Sequence, residues 1–384
     1  MFSPIAHKKN GRTEKIHKNW KGVNVAADPK LPVCGRPIGN ISFNGMFWGQ
    51  KSNAAYGVVN LAMHFYHTFD ENFARETYPY VRAVATFWER EVVPENGVYN
   101  IYNDAIHEGT VGDKNPILSL GLVRMTLQLA NDMSEFLGVD ENRRAKWRDV
   151  HEKLAPYPTQ QREGKTVFRY TEKGRAWHRD NSLGLQHIYP AGQIGFDTEK
   201  PLLEIAKNTV LQMRRWNDFN ATNSIFPAAV RVGLDAAEIW RELAAYSTRT
   251  ACNGFQRGNP HGVENWSTVP NTINEMLCAS NHGVIRLFAV WPRDTDAAFH
   301  TIRAEGAFLV SAKIANNTVG DVRITSEKGR PLTLQNPWHG KRVRVSVSTS
   351  ATTGAEKNPE KILTGDRLHL KTTAATTYRF EPMK

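Results

Sequence analysis

Cysteine is scarce and long apolar runs are missing. Three cysteines, Cys34, Cys252 and Cys278, are spread over 384 residues. They are odd in number and at neither metal-ligand nor redox spacing, so buried structural thiols are expected rather than a disulfide framework. No histidine–cysteine cluster at ligand spacing occurs, so no metal is implied, and no cofactor is expected. No apolar stretch reaches the roughly 18 residues of a spanning helix, so no membrane segment is expected. The opening MFSPIAHKKNGRTEKIHKNWKG is charged and has no apolar region, so no signal peptide is expected in this chain. Compartment and oligomeric state stay open.

What is present suits a sizeable core. Hydrophobic residues make up 40% of the chain, with ten Trp and seventeen Phe. The length exceeds a usual single core, so one large domain plus a smaller one is expected. The net charge is +11, but the basic residues are dispersed apart from the N-terminal HKKNGRTEKIHK. Such a distribution suits a nucleic acid, an acidic polysaccharide or neither. Nucleic-acid motifs are absent, so no nucleic-acid partner is expected.

Residues 1–52 read as an irregular segment, rich in Pro and Gly around PKLPVCGRPIGN. The following NISFNGMFWGQ interleaves Phe43, Phe47 and Trp48 with Asn40, Asn44 and Gln50, either leading into the next helix or walling a polar pocket. The spacing of apolar residues then predicts helices over 53–67, 72–93, 116–137, 140–154, 199–216, 233–246 and 268–279. Asp70 is placed to cap the second, and Gly138 to stop the third. Long polar loops are expected over 94–115, 156–194 and 217–232. Trp216, Trp240 and Trp291 are assigned to the core. The repeated order of helix, turn, helix and long loop reads as an all-α toroid over residues 53–299, with its site on the loop side. From residue 300 to 384, alternation and Val/Thr/Ile richness predict a small β-sandwich.

The stretch from 253 to 287, NGFQRGNPHGVENWSTVPNTINEMLCASNHGVIRL, is where chemistry concentrates. It opens with turn residues, and Glu264, Asn265 and Trp266 then stand just before a helix. A carboxylate, an amide and an indole at a helix entrance supply an acid-base group, a hydrogen-bonding group and a stacking platform, as a sugar site requires. The same residues also fit a capped helix with a buried Trp.

Four runs, AAYGVVNLAMHFYHTFDENFARETYPYVRAVATFW, HIYPAGQIG, INEMLCASNHGVIRLFAVWP and IRAEGAFLVSA, together resemble glycoside hydrolase family 95 over residues 53–340. That family contains inverting α-L-fucosidases and related α-L-galactosidases. The resemblance implies an (α/α)6 barrel followed by a small β-domain. It also implies a general acid at Glu108 in YNDAIHEGTVG, although His107 and Gly109 replace the family's flanking Ser-Pro and Asn. The family's Asp-Gly-Asn-Phe run corresponds to Val263-Glu264-Asn265-Trp266, which puts Glu264 on the base side with one extra methylene. The two asparagines that hold the attacking water have no evident counterpart, and Asn40 and Asn44 are not given that role. The family's N-terminal β-domain and first barrel helices are not seen, so the toroid is expected to be incomplete. Family members are often periplasmic or secreted.

The resulting expectation is an exo-acting hydrolase of a terminal α-linked fucose- or galactose-like sugar, acting on an oligosaccharide or polysaccharide. Glu108 and Glu264 are the catalytic candidates. Trp177, Trp266 and His187 are candidates to stack on or bond the sugar; His107 and Asn265 join them, with Asn103, Arg231 and Asn253 as further hydroxyl partners. His178 and His187 read equally well as structural histidines. The alternatives are an inactive carbohydrate-binding homologue and a basic polyanion-binding module.

Overall fold

The computed structural model describes residues 50–107, 110, 112–177, 182–218, 222–258, 263–348 and 360–383. The chain divides into two units, Met1–Met63 with Asp70–Ala228, and His64–Phe69 with Ala229–Lys384. Asn40, Asn44, Glu108 and His178 lie outside the described residues.

In the first unit, α1 (Asn53–Thr68) buries Ala55, Val58, Val59 and Ala62 along one face. The next helix, α2 (Glu71–Glu91), starts at Asp70, whose carboxylate accepts from the Phe73 amide at 3.0 Å, satisfying one of the amides a helix start leaves unpaired. Tyr80 donates to the Ala54 carbonyl at 3.0 Å, tying α2 to α1. Helix α3 (Ile117–Leu137) is buried along almost its whole length and stops at Gly138, which adopts φ +67°. Helix α4 (Glu141–Lys153) follows Asp140, whose side chain makes no cap. That carboxylate instead pairs with Arg82 at 2.7 Å and accepts from Tyr78 at 2.9 Å.

The expected loop over 156–194 contains strands. In it β4 (Thr159–Arg162) and β5 (Lys165–Phe168) pair as a hairpin whose turn residues, Glu163 and Gly164, both have positive φ, the backbone twist a two-residue hairpin turn requires. Helix α5 (Lys200–Met213) packs on β5, with the Phe168 amide donating to Thr209 Oγ1 at 2.8 Å. The expected loop over 217–232 is corrected in the same way: α6 (Thr222–Arg231) runs through Pro227. Complete burial of Ile225, Phe226, Ala228 and Val230 outweighs the lost hydrogen bond.

In the second unit, α7 (Ala236–Ser247), the short α8 (Val263–Trp266) and α9 (Thr268–Leu277) precede the sheet region. Nine α-helices thus occur among the described residues, against seven predicted. The β-texture begins earlier than residue 300: β7 (Cys278–Ala279) pairs with β8 (Arg286–Leu287), and β9 starts at Ala297. A six-stranded antiparallel sheet in the order Lys361–Leu363, Val343–Ser348, Thr376–Pro382, Thr318–Ser326, Phe308–Ala315 and Ala297–Ala304 (β9) is accompanied by a two-stranded sheet of Leu332–Gln335 and Arg367–Leu370. Their shared core includes Phe299, Phe308, Val322, Leu334, Val345 and Phe380. The result is a helical region followed by a β-sandwich-like region. The last turn of α1 belongs with this unit because the Gly306 amide donates to the Tyr66 carbonyl at 2.8 Å and the Arg330 guanidinium stacks on the Phe69 ring.

Of the three core-assigned tryptophans, Trp216 is buried, whereas Trp240 is 37% exposed and lies edge-on to the half-buried Trp291 with ring centroids 5.4 Å apart. Its position on α7 falls outside the stripe formed by Ile239, Leu243 and Tyr246. No helix among the described residues is long and apolar enough to cross a membrane.

Candidate active site

The loop of the first unit that carries Glu108 has two firmly tied legs. Ile101 and Asn115 bond twice, the Asn115 amide to the Ile101 carbonyl at 2.8 Å and the Ile101 amide to Asn115 Oδ1 at 2.7 Å. Further along, Asp104 and Asp113 form an antiparallel bridge, with amides donating to carbonyls at 3.1 and 2.9 Å. Near the tip, the Thr110 amide donates to the His107 carbonyl at 3.1 Å, and the His107 amide to Thr110 Oγ1 at 3.0 Å. Glu108 itself lies outside the described residues, between His107 and Thr110 in the sequence.

Buried charge holds the base of the loop. The Asp104 carboxylate accepts from the amides of Lys51 and Ala105, each at 2.8 Å, and from Ser119 Oγ at 2.6 Å. Burial raises its pKa, while Lys51 and these hydrogen bonds pull the other way. The Lys51 ammonium, itself buried, pairs with Glu91 and donates to the Tyr102 carbonyl at 2.7 Å. Asp113 is likewise raised, first by burial, and accepts from the Ile106 amide at 3.0 Å. Lys51 does not stand out in the sequence, because its partners Glu91 and Asp104 are 40 and 53 positions away.

The remaining candidates of this unit are placed as follows. Asn103 is exposed and takes a left-handed backbone, φ +49°, which asparagine adopts more readily than most residues. His107 is half-buried. Trp177 is half-buried, and the Arg162 guanidinium lies 4.7 Å over its ring. His187 is fully buried between Phe168 and Tyr157, with ring centroids 4.5 and 4.7 Å away, and neither ring nitrogen has a hydrogen-bond partner among the described residues. Burial, reinforced by Arg124, pushes its pKa down to about 3. The position is that of a neutral core histidine, and a sugar would reach it only by displacing one of those rings.

In the second unit, four candidates fall on two neighbouring segments. Residues 249–257 form a tight hairpin: the Arg257 amide donates to the Arg249 carbonyl at 2.9 Å, and the Ala251 amide to the Phe255 carbonyl at 2.8 Å. Trp266, on α8, lays its indole against the tip, with Nε1 donating to the Asn253 carbonyl at 3.2 Å. Gly254, φ +83°, makes this approach possible, since a Cβ there would lie 2.6 Å from the indole nitrogen. The indole remains 52% exposed. Glu264 and Asn253 are exposed and Asn265 is buried, its carbonyl accepting from the Tyr246 hydroxyl at 3.4 Å. The indole stands open beside the hairpin, so of the two readings of this segment the capped helix with a buried Trp does not describe it.

Arg231 sits apart from that pair of segments in its bonding. It holds Glu275 of α9 bidentately, at 2.7 and 3.2 Å, with both side chains largely buried. Glu305 lies near this pair and accepts from the Gly283 amide at 3.2 Å. Loss of water contact, with Glu275 adding to it, pushes the Glu305 pKa up to about 7.

Residues 7–277 match the glycosyl hydrolase family 95 catalytic domain. Among solved structures, a kojibiose phosphorylase candidate from the human microbiome aligns at 10% identity and TM-score 0.48, over 85% of this chain and 51% of that one. Streptomyces avermitilis α-L-rhamnosidase, complexed with L-rhamnose, aligns at 12% identity and TM-score 0.42, over 84% and 32%. A GH78 rhamnosidase of Bacillus sp. GL1 aligns at 13% identity and TM-score 0.42, over 71% and 32%. The chain thus spans about half of the first and about a third of the other two. No curated protein sequence matches it.

Proposed function

Because the chain belongs to glycosyl hydrolase family 95, we propose that it is an exo-acting glycoside hydrolase that removes a terminal α-linked fucose- or galactose-like sugar with inversion. Glu108 is the general acid in this reading, giving its proton to the glycosidic oxygen as the bond to C1 breaks. Glu264 is on the base side, accepting a proton from the water that attacks C1 from the opposite face. Inversion asks for the two carboxyl groups to be about 6.5–9.5 Å apart, leaving room for that water.

The observation that carries the reading is the tethering of the loop around Glu108. Two tied legs, a buried Lys51–Glu91 pair and the Asp104 hydrogen bonds fix the chain on both sides of that residue. A general acid acts only when held in place, because a displacement on the order of 1 Å can cost about 100-fold in rate. Support for Glu264 is positional: it takes the place of the family's aspartate, next to the exposed Trp266 platform. The test is proton NMR of oligosaccharides ending in α-L-fucose or α-L-galactose. The β-anomer of the released sugar is expected first; prior appearance of the α-anomer would refute inversion, and no release from any substrate would refute hydrolysis.

A second reading is an inactive carbohydrate-binding homologue. The platform made by Trp266 and Asn253 favours it, since an exposed, braced indole binds sugar whether or not cleavage follows. Calorimetry showing sugar binding without hydrolysis across that panel selects this reading, and measurable hydrolysis dismisses it.

A further inference from the structure

We propose that the substrate is an anionic saccharide, carrying a sulfate or carboxylate group that Arg249 and Arg257 grip while a sugar ring stacks on Trp266. The proposal rests on the carbohydrate reading given above and names the substrate class for the same part of the second unit. Thr250 and Gln256 form an antiparallel bridge, and the Arg257 amide donates to the Arg249 carbonyl at 2.9 Å, so the two arginines are cross-strand neighbours. Directly opposite residues of such a pair have Cβ atoms about 4.5–5.5 Å apart and lie on one face. Both arginines are exposed.

Their side chains leave one face of the hairpin, so a single anion can meet donors from both. A guanidinium is suited to the task because its planar fork of donors matches the oxygens of a sulfate or carboxylate. The tip of the same hairpin braces Trp266 through the bond to Asn253 and the close approach over Gly254. The aromatic face, on α8, thus packs against the tip of the hairpin that carries the two cations, with the indole 52% open. A pyranose presents an apolar C–H face to an indole, and a substituent on that ring or the next one reaches the cations. The whole-chain excess of basic residues, +11, points the same way by raising the local concentration of polyanions.

The experiment is equilibrium binding by calorimetry with the full chain, using a sulfated α-linked fuco-oligosaccharide, its chemically desulfated form, and an oligonucleotide of equal charge as probes. The sulfated form is expected to bind roughly tenfold or more tightly than the desulfated form, as one or two charge-assisted contacts would give, and added salt should erode the gap. Arg249→Gln with Arg257→Gln should abolish the preference at unchanged Tm, whereas the charge-matched pair Arg75→Gln with Lys153→Gln should retain it. Equal binding of both saccharides, binding of neither, equal loss in the charge-matched pair, or equally tight binding of the oligonucleotide would each overturn the proposal. Hydrolysis of the desulfated saccharide without any sulfate preference would overturn it while leaving the hydrolase reading in place.

Discussion

Gly121, in the second turn of α3, rests against the backbone of His187: a Cβ at position 121 would lie 2.5 Å from the His187 Cβ and 2.6 Å from its Cα. Exchanging an interior helical glycine for alanine ordinarily gains about 0.5–1 kcal/mol. Here the clash is with main chain, which cannot swing aside. Gly121→Ala is therefore expected to destabilise the protein by about 1–3 kcal/mol, seen as a lower urea midpoint at an unchanged m-value. A gain in stability would show that the two segments are not in contact.

His187 gives stability a pH dependence of known sign. Its pKa is about 3 in the folded chain against an ordinary 6.5, so between those values the unfolded state binds the extra proton. Stability is complete above about 6.5 and falls as the pH drops toward 3, at up to about 1.4 kcal/mol per pH unit. His187→Leu should remove that slope in denaturant titrations across this range and leave turnover intact. Loss of sugar affinity with an unchanged slope would instead make His187 a substrate contact.

Lys51 and Glu91 form a buried ion pair beneath the Glu108 loop. Removing one partner leaves a buried charge uncompensated, which typically costs about 3–5 kcal/mol. Lys51→Met should therefore lower Tm sharply, and Lys51→Met with Glu91→Leu should recover much of the loss. Equal Tm values for the single and double variants would show that the pair is not coupled.

Glu305 acts with the opposite sign to His187. Its pKa is raised from 4.5 to about 7, first by burial, so the folded state holds the proton over that interval. Its contribution is full below about 4.5 and is lost as the pH rises through 7. Glu305→Gln should gain Tm relative to the parent protein at pH 8 and show little difference at pH 4.5. A Tm difference that does not change with pH would contradict this.

Much of the helical part was legible because burial repeats every three to four residues, as in Ala55, Val58, Val59 and Ala62 of α1. The Asp70 cap and the Gly138 stop are local chemistry, and both stand where they were expected. Helix α6 was missed because Pro227 reads as a breaker and only tertiary burial overrules it. Trp240 was misassigned because hydrophobic identity does not reveal which side of a helix meets solvent. At the candidate site, the grouping of Asn253 with Trp266 followed from their nearness in the chain. The anchors of the Glu108 loop did not: Lys51 and Asp104 are 53 positions apart, and neither carries a local signal. Arg231 was offered as a hydroxyl partner, yet its bidentate partner Glu275 lies 44 positions on.

The central claim is that Glu108 protonates the leaving oxygen of an α-linked saccharide. The most direct measurement is release of the terminal sugar by Glu108→Gln beside the parent protein, on a substrate with a poor leaving group, with Tm recorded for both. The expected result is loss of release by a factor on the order of 100 to 10,000, the usual contribution of a general acid, at matching Tm. Turnover equal to that of the parent protein would contradict it.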